Sequence, residues 1–258
     1  MNIAITGGAL CGPGVPDWAS AIALLRGEAQ YEATQVREPS PVALPANERR
    51  RLPGTARVAL GIGIEALEAA QLDVGDVATV FASCGSDGQI THQICEALAR
   101  PIPEMSPTRF HNSVHNAAAG YWSIALGSRA PSTSLCAHAG SFAAGLLEAA
   151  TQATFESRTV LLIAYDLPYP APLSSLWSVE GTFAAAFVIA PLANADAPLL
   201  NITLTSEPVS EWPRGFPVAL ATHPAAAALQ IVALLAAKCV SRAVIPYHSG
   251  CNVAVSIG

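Results

Sequence analysis

The 258-residue chain carries 13 basic and 19 acidic residues, a net charge of −6, and only 12 % charged residues, about half of the ~25 % usual in soluble domains. Its arginines gather only at Arg49-Arg50-Arg51 and it has a single lysine, Lys238; without a basic stripe a nucleic-acid-binding role is excluded. Six cysteines (Cys11, Cys84, Cys95, Cys136, Cys239 and Cys251) form no CxxC pair, and no signal-peptide pattern opens the chain, so reduced cytoplasmic thiols are expected rather than disulfides.

In chain order, Asn2–Thr6 reads as a strand closed by Gly7-Gly8, with a second turn at Gly12-Pro13-Gly14. Asp17 caps a helix carrying Trp18, Ile22, Leu24 and Leu25 that ends at Gly27. Residues 29–47 form a proline-rich surface loop, and Arg49-Arg50-Arg51 a solvated helix or loop. Thr55–Ala70 repeats apolar residues at helical spacing, Val77–Ala82 is a buried strand, and Cys84-Gly-Ser-Asp-Gly88 is the turn after it. Ile90–Ala99 and Asn116–Leu126 are helices, and Arg100–Thr108, with three prolines, is a loop. Thr159–Tyr165 is an apolar strand ending at Asp166, followed by a loop with Pro168, Pro170 and Pro172. Phe183–Ala190 and Leu199–Thr205 are strands; Ala243–Pro246 and Asn252–Ile257 follow an Ala-rich helix from Pro224. Strands alternating with helices predict an α/β fold whose sheet is largely parallel and covered on both faces.

Phe216–Ala237 carries no Asp, Glu, Lys or Arg and has the length of a membrane span. Its Pro217, His223, Pro224 and Gln230, and its alanine instead of leucine, mark a buried core helix. No membrane span is expected. Low charge with 52 % hydrophobic residues predicts an oligomer with a large apolar interface, the rival explanation being an alanine- and arginine-rich genome.

The most informative stretch is Ser132-Thr-Ser-Leu-Cys-Ala-His-Ala-Gly-Ser-Phe-Ala-Ala-Gly-Leu-Leu-Glu-Ala-Ala150. A short strand runs into a small-residue elbow at Cys136 and Ala137 and then into an Ala- and Leu-rich helix. Amides at a helix N-terminus favour developing negative charge, and that is where an acyl-transfer enzyme places its nucleophile. Cys136 is an acyl-acceptor candidate there, against the commoner role of a small buried residue at a strand end.

The opening Ile3-Ala-Ile-Thr-Gly-Gly8, Leu25-Arg-Gly27, Ser106-Pro-Thr-Arg-Phe-His-Asn-Ser-Val-His-Asn116, the elbow, and the closing Asn252-Val-Ala-Val-Ser-Ile257 together resemble the β-ketoacyl synthase branch of the thiolase superfamily, over most of residues 1–190. Phe110-His-Asn-Ser-Val-His-Asn116 with Ser134-Leu-Cys-Ala137 and Phe142-Ala-Ala-Gly-Leu-Leu-Glu-Ala149 is similar, more narrowly, to the short chain-length-factor proteins of type II clusters making aryl polyenes. The resemblance implies a single thiolase-like domain of layered αβαβα type over residues 1–258. Residues 1–190 would be its ketosynthase-like N-terminal half and residues 191–258 a shortened C-terminal half.

A working ketosynthase has a Cys three residues before the Gly that opens the elbow helix, and a second Gly five further on. Gly140 and Gly145 keep that spacing, so the nucleophile position falls on Ala137, and Cys136 is one residue early. A one-residue slip in a strand turns the side chain to the other face. The His-Gly-Thr motif supplying one of the family's two histidines does not occur in this sequence. His223 is only a loose match to the other. The resemblance therefore implies a degenerate site at Cys136, Ala137 and His138 in a non-catalytic subunit without cofactor or metal.

What it implies instead is an active ketosynthase as heterodimer partner (or a second copy, in isolation) and an acyl carrier protein as the source of acyl chains. Phe110, His111, Asn112, His115, Asn116, Ser134, Leu135 and Phe142 would line the partner interface and pocket. The rivals are an independent acyltransferase or thioester hydrolase using Cys136 with His138 or His223 as base, and a scaffold for acyl carriers. His111 and His115, four apart, would share a helix face in a structural role, since no third metal ligand accompanies them. The Gly-rich turn after Cys84 is a connection, only loosely like a phosphate cradle. The Ala-rich helix at 225–237 packs the core or lines an acyl tunnel.

Overall fold

The computed structural model describes residues 1–37, 39, 44–176, 179–192, 197–237 and 241–257. Lys238, Cys239 and part of the 29–47 loop lie outside the described residues. Eight strands form one sheet in the order β3-β2-β4-β5-β1-β6-β8-β7. They are β1 (Asn2–Cys11), β2 (Ala78–Ala82), β3 (Ser132–Leu135), β4 (Val160–Asp166), β5 (Phe183–Pro191), β6 (Leu199–Thr205), β7 (Arg242–His248) and β8 (Cys251–Ile257). The helices are α1 (Trp18–Leu25), α2 (Ala46–Arg51), α3 (Gly54–Ala69), α4 (Gly88–Leu98), α5 (Pro107–Asn112), α6 (Ala117–Leu126), α7 (Ser141–Phe155) and α8 (Leu229–Ala236).

Helices α3 and α6 cover one face of β2, β4, β5 and β1, around Leu60, Ile62, Phe81, Trp122 and Ile163. Helix α7 lies on the other face, touching β2 and β4 on one side and β7 on the other, while α8 touches β7 and β8. The sheet is thus folded around α7 and α8, and a single core joins Phe142, Leu146, Phe183 and Phe187 to Ile231, Ile245, Val253 and Val255. Each such large side chain taken out of water contributes about 1.5–3 kcal/mol. The layers run helix, sheet, helix, sheet; among the described residues no helical layer lies outside β6-β8-β7. Of an αβαβα stack, the described residues thus show every layer but the last helical one.

Two sequence expectations need correction. The sheet is not largely parallel: only the β2–β3 and β2–β4 pairings are, and β4–β5, β1–β5, β1–β6, β6–β8 and β7–β8 are antiparallel. Helical crossovers link β2, β3 and β4, whereas β4 reaches β5 through a loop and returns in the opposite sense, as a connection without a crossover helix allows. Nor do Gly7 and Gly8 end the first strand. β1 runs through them with a register shift between Ile5 and Gly7. A Cβ on Gly7 would lie 2.7 Å from that of Ala70, and one on Gly8 2.6 Å from the Trp18 ring. These glycines admit close packing on the strand rather than making a turn.

From His223 onward the 216–237 stretch lies inside the fold: a 3-10 turn at Pro224–Ala228 leads into α8, and both are almost wholly buried, whereas Val218 is exposed. Among the described residues no helix is long and apolar enough to cross a membrane.

Candidate functional site

β3 delivers the chain to the elbow and α7 carries it away. Gly140 and Gly145 set the close approach. A Cβ on Gly140 would collide with the carbonyl oxygen of Tyr247 in β7, and one on Gly145 would sit 2.7 Å from Ala82 and 2.8 Å from Leu162. The five-residue glycine spacing is thus what lets α7 wedge between the two parts of the sheet. At the corner, Ala137 (φ −137°, ψ 36°) precedes a 3-10 turn at His138–Gly140. His138 adopts a left-handed backbone, φ 54°. The Ala137 amide donates to Ser141 Oγ at 2.9 Å, and that hydroxyl donates to the His138 carbonyl at 2.7 Å. Position 137 presents a methyl group, which can neither attack a carbonyl nor carry an acyl chain.

Cys136 is exposed, not the small buried residue of its commoner role. Its Sγ donates to the Cys84 carbonyl at 3.0 Å, so the thiol is turned toward the end of the neighbouring strand. Cys84 is buried, and burial first, then the nearby Asp166 carboxylate, push its thiol far above the usual range.

Behind the elbow, Asp166 at the end of β4 is 2 % exposed and accepts hydrogen bonds at 2.8 Å from Ser83 Oγ and from the Cys84 amide. Burial pushes its carboxyl up to about 6, and the hydrogen bonds oppose that rise. His223, also 2 % exposed, has Nε2 3.3 Å from the Gly181 carbonyl and its ring against Phe183. Burial lowers it to about 4, so it stays neutral at pH 7 and joins the two halves of the chain from within. Of the dyad partners considered for Cys136, His223 is thus held at Gly181. His138 is exposed on the elbow itself.

The expected interface residues separate. Phe110, 63 % exposed, and His111 sit on α5, and exposed Asn116 precedes α6 without a side-chain capping bond. His111 lines a cavity of about 140 Å³ with Val114, Tyr121 and Ile124. Ser134 and Leu135 lie half-buried on β3, the terminal strand of the sheet. Asn112 and Phe142, in contrast, belong to the protomer's own interior. Asn112 donates to the Arg51 carbonyl at 2.8 Å and accepts from Tyr121 at 3.1 Å, while Phe142 packs on Phe187. His111 and His115 do not share a helix, because α5 ends at Asn112. His115 instead sits in the turn that follows, its Nε2 3.4 Å from the Ser83 carbonyl. Among the described residues no group of three His, Cys, Asp or Glu is placed to hold a metal, and all described cysteines are free thiols.

Sequence reasoning did not find the Ser83–Asp166 pair or the Ser141 hydroxyl. Asp166 had one signal, a carboxylate ending a seven-residue run that is buried throughout. Ser141 had none, since a serine at a helix start is ordinary.

The sequence matches the family described as beta-ketoacyl synthase, N-terminal domain, over residues 25–239. Among solved structures it superposes on a chain of the ketosynthase ApeO in complex with its chain length factor ApeC from Xenorhabdus doucetiae. The TM-score is 0.74 at 23 % identity, covering 99 % of each chain. A chain of AntDE:AntF, a type II acyl-carrier protein in complex with its ketosynthase bound to the hexaketide, gives 0.72 at 14 % identity, over 100 % of this chain and 99 % of that one. A chain of the ishigamide ketosynthase/chain length factor gives 0.70 at 14 % identity with the same coverage. At these identities the likeness concerns the fold. None of the curated proteins matches the sequence.

Proposed function

The chain belongs to the beta-ketoacyl synthase N-terminal domain family, and from that premise we propose that it is a non-catalytic, chain-length-factor-type subunit that pairs with an active ketosynthase. One observation carries this: a ketosynthase-type elbow whose reactive corner holds the Ala137 methyl, on a strand left at the sheet's edge. The exposed apolar residues Phe110, Val114 and Ile124 lie on and between α5 and α6, and α6 touches β3. Exposed apolar side chains of this kind are what a permanent partner buries.

In the pair, the partner supplies thiol and histidines, and condensation takes place on its side. This subunit contributes a wall. β3 aligns against the partner's equivalent strand, and α5 and α6 bound the cavity that limits how far a growing acyl chain extends. The chain acts as one thiolase-like domain in the cytoplasm, and the acyl groups arrive on an acyl carrier protein. Neighbours described as a ketosynthase with its chain length factor, and as a ketosynthase with its acyl-carrier protein, support this reading.

Co-expression with a cognate ketosynthase tests it: a stable one-to-one complex is expected. A chain that stays monomeric and ignores that ketosynthase would reject it. The rival reading, an independent thioester enzyme, draws on the exposed thiol of Cys136. Thioester turnover by the isolated chain that disappears in Cys136→Ala would favour that rival.

A further inference from the structure

The elbow has lost more than a nucleophile. When a thiolate attacks an acyl carbonyl, the oxygen takes up negative charge, and backbone amides aimed at it supply much of the stabilisation. The corner residue's own N–H, at the mouth of the helix, is such a donor. Here that N–H is occupied, donating to Ser141 Oγ at 2.9 Å. The same hydroxyl donates onward to the His138 carbonyl at 2.7 Å, and a third bond, from the Gly140 amide to the Ala137 carbonyl at 3.0 Å, closes the turn. Ser141 is 1 % exposed, walled in at the start of α7, so it has little room to rotate away. His138 has a left-handed backbone, uncommon outside glycine though less so for histidine than for most residues, and the Ser141 hydroxyl bonds its carbonyl.

We propose that Ser141 is a positioning residue that closes the elbow. Its hydroxyl takes the amide an oxyanion would need, so that the loss of chemistry is written twice, at Ala137 and at Ser141. The inference rests on the reading of position 137 as the vacated reactive corner. It has a specific consequence: returning a thiol to position 137 restores a nucleophile without restoring acyl transfer. The helix N-terminus still favours a thiolate there, but the tetrahedral intermediate finds no donor.

Alkylation and acylation separate these two properties. Displacement of iodide from iodoacetamide develops no oxyanion. Acetylation by p-nitrophenyl acetate does: the thiolate forms the carbon–sulfur bond, the ester carbon–oxygen bond breaks, and p-nitrophenolate leaves with the electron pair. Both rates are read at residue 137 by peptide mass mapping of the full chain, in Ala137→Cys and in Ala137→Cys combined with Ser141→Ala. Expected is ready alkylation of both, with acetylation faster in the double variant by roughly tenfold or more and alkylation nearly unchanged. An equal ratio of acetylation to alkylation in the two variants overturns the proposal.

Should the double variant fail to fold, hydrogen exchange at the Ala137 amide of the unmodified chain decides. Protection well above that of neighbouring exposed amides is expected, and exchange at the rate of a free amide overturns it. The same maps of the unmodified chain report Cys136. Acetylation there would overturn the non-catalytic reading while leaving the comparison at Ser141 intact.

Discussion

The two edges of the sheet meet the same physical problem in different ways. An outer strand leaves one row of amides and carbonyls unpaired by the sheet, which is either covered or becomes a template for another chain. β7 is covered from within: the Ser210 amide donates to the Val244 carbonyl at 3.0 Å, and the Val244 amide donates to Ser210 Oγ at 2.8 Å. Arg242 and Glu207, 2.8 Å apart, pin the covering segment. β3 has no such cover among the described residues, and its four residues are exposed or half-buried. A chain that seals one edge with its own backbone and leaves the other without such a cover among the described residues treats its two edges differently. The lesson is that the bare edge is the one open to pairing with another chain.

The strongest way to break that contrast is a proline at the bare edge. The Thr79 and Ser83 amides donate to the Pro131 and Leu135 carbonyls, so alternation turns the backbone groups of Ser132 and Ser134 outward. Ser134→Pro removes an outward amide and no bond to β2, which an edge strand tolerates. The isolated chain should fold with an unchanged circular dichroism spectrum, while affinity for a cognate ketosynthase, measured by calorimetry, falls about a hundredfold or more.

A second test asks whether the fold can be moved without moving the assembly edge. Asp166, raised from 3.8 to about 6, favours the folded state below pH 4 and loses that contribution as pH rises through 6. His223, lowered from 6.5 to about 4, does the opposite, contributing above 6.5 and losing it as pH falls through 4. The two slopes oppose each other, so urea stability should change little between pH 4 and 6. Asp166→Asn should expose a rise of about 3 kcal/mol over that interval, and His223→Asn a fall of similar size. Parallel slopes in the two variants would contradict the assignment.

Next in size is the covered edge. Ser210→Ala leaves the Val244 amide without its acceptor and should cost about 1–2 kcal/mol of stability, read from urea midpoints, with complex affinity unchanged. A loss of affinity instead would mean that both edges meet partners. The smallest effect is expected on the apolar surface: Phe110→Asp should weaken the complex about tenfold and leave the monomer's melting temperature within a degree or two.

Much of the architecture was legible locally. Most strands and longer helices, the strand-elbow-helix from Ser132 and the buried helix after Pro224 follow from short-range periodicity and small-residue spacing, whereas the short α5 at Pro107–Asn112 falls partly in a stretch that reads as loop. The Ala137 corner was legible because Gly140 and Gly145 act as a ruler. What failed to read depends on remote partners. Gly7-Gly8 looks like a turn until Trp18 and Ala70 are seen pressing on it. His111 and His115 look like one helix face until Ser113 is seen capping α5 between them. Phe142 and Asn112 look like surface residues of a recognised motif until the fold encloses them.

The amino-acid order alone therefore determined membership of the beta-ketoacyl synthase N-terminal domain family and the placing of Ala137 three residues before Gly140 and eight before Gly145, because residue identity at a fixed spacing needs no coordinates to be noticed. Only the tertiary structure decided the direction of the strands, the covered and the bare edge, the buried carboxylate and imidazole, and the serine that fills the elbow. Those features arise where segments far apart in the chain share hydrogen bonds and exclude water together, and no local pattern encodes which distant group will be the partner.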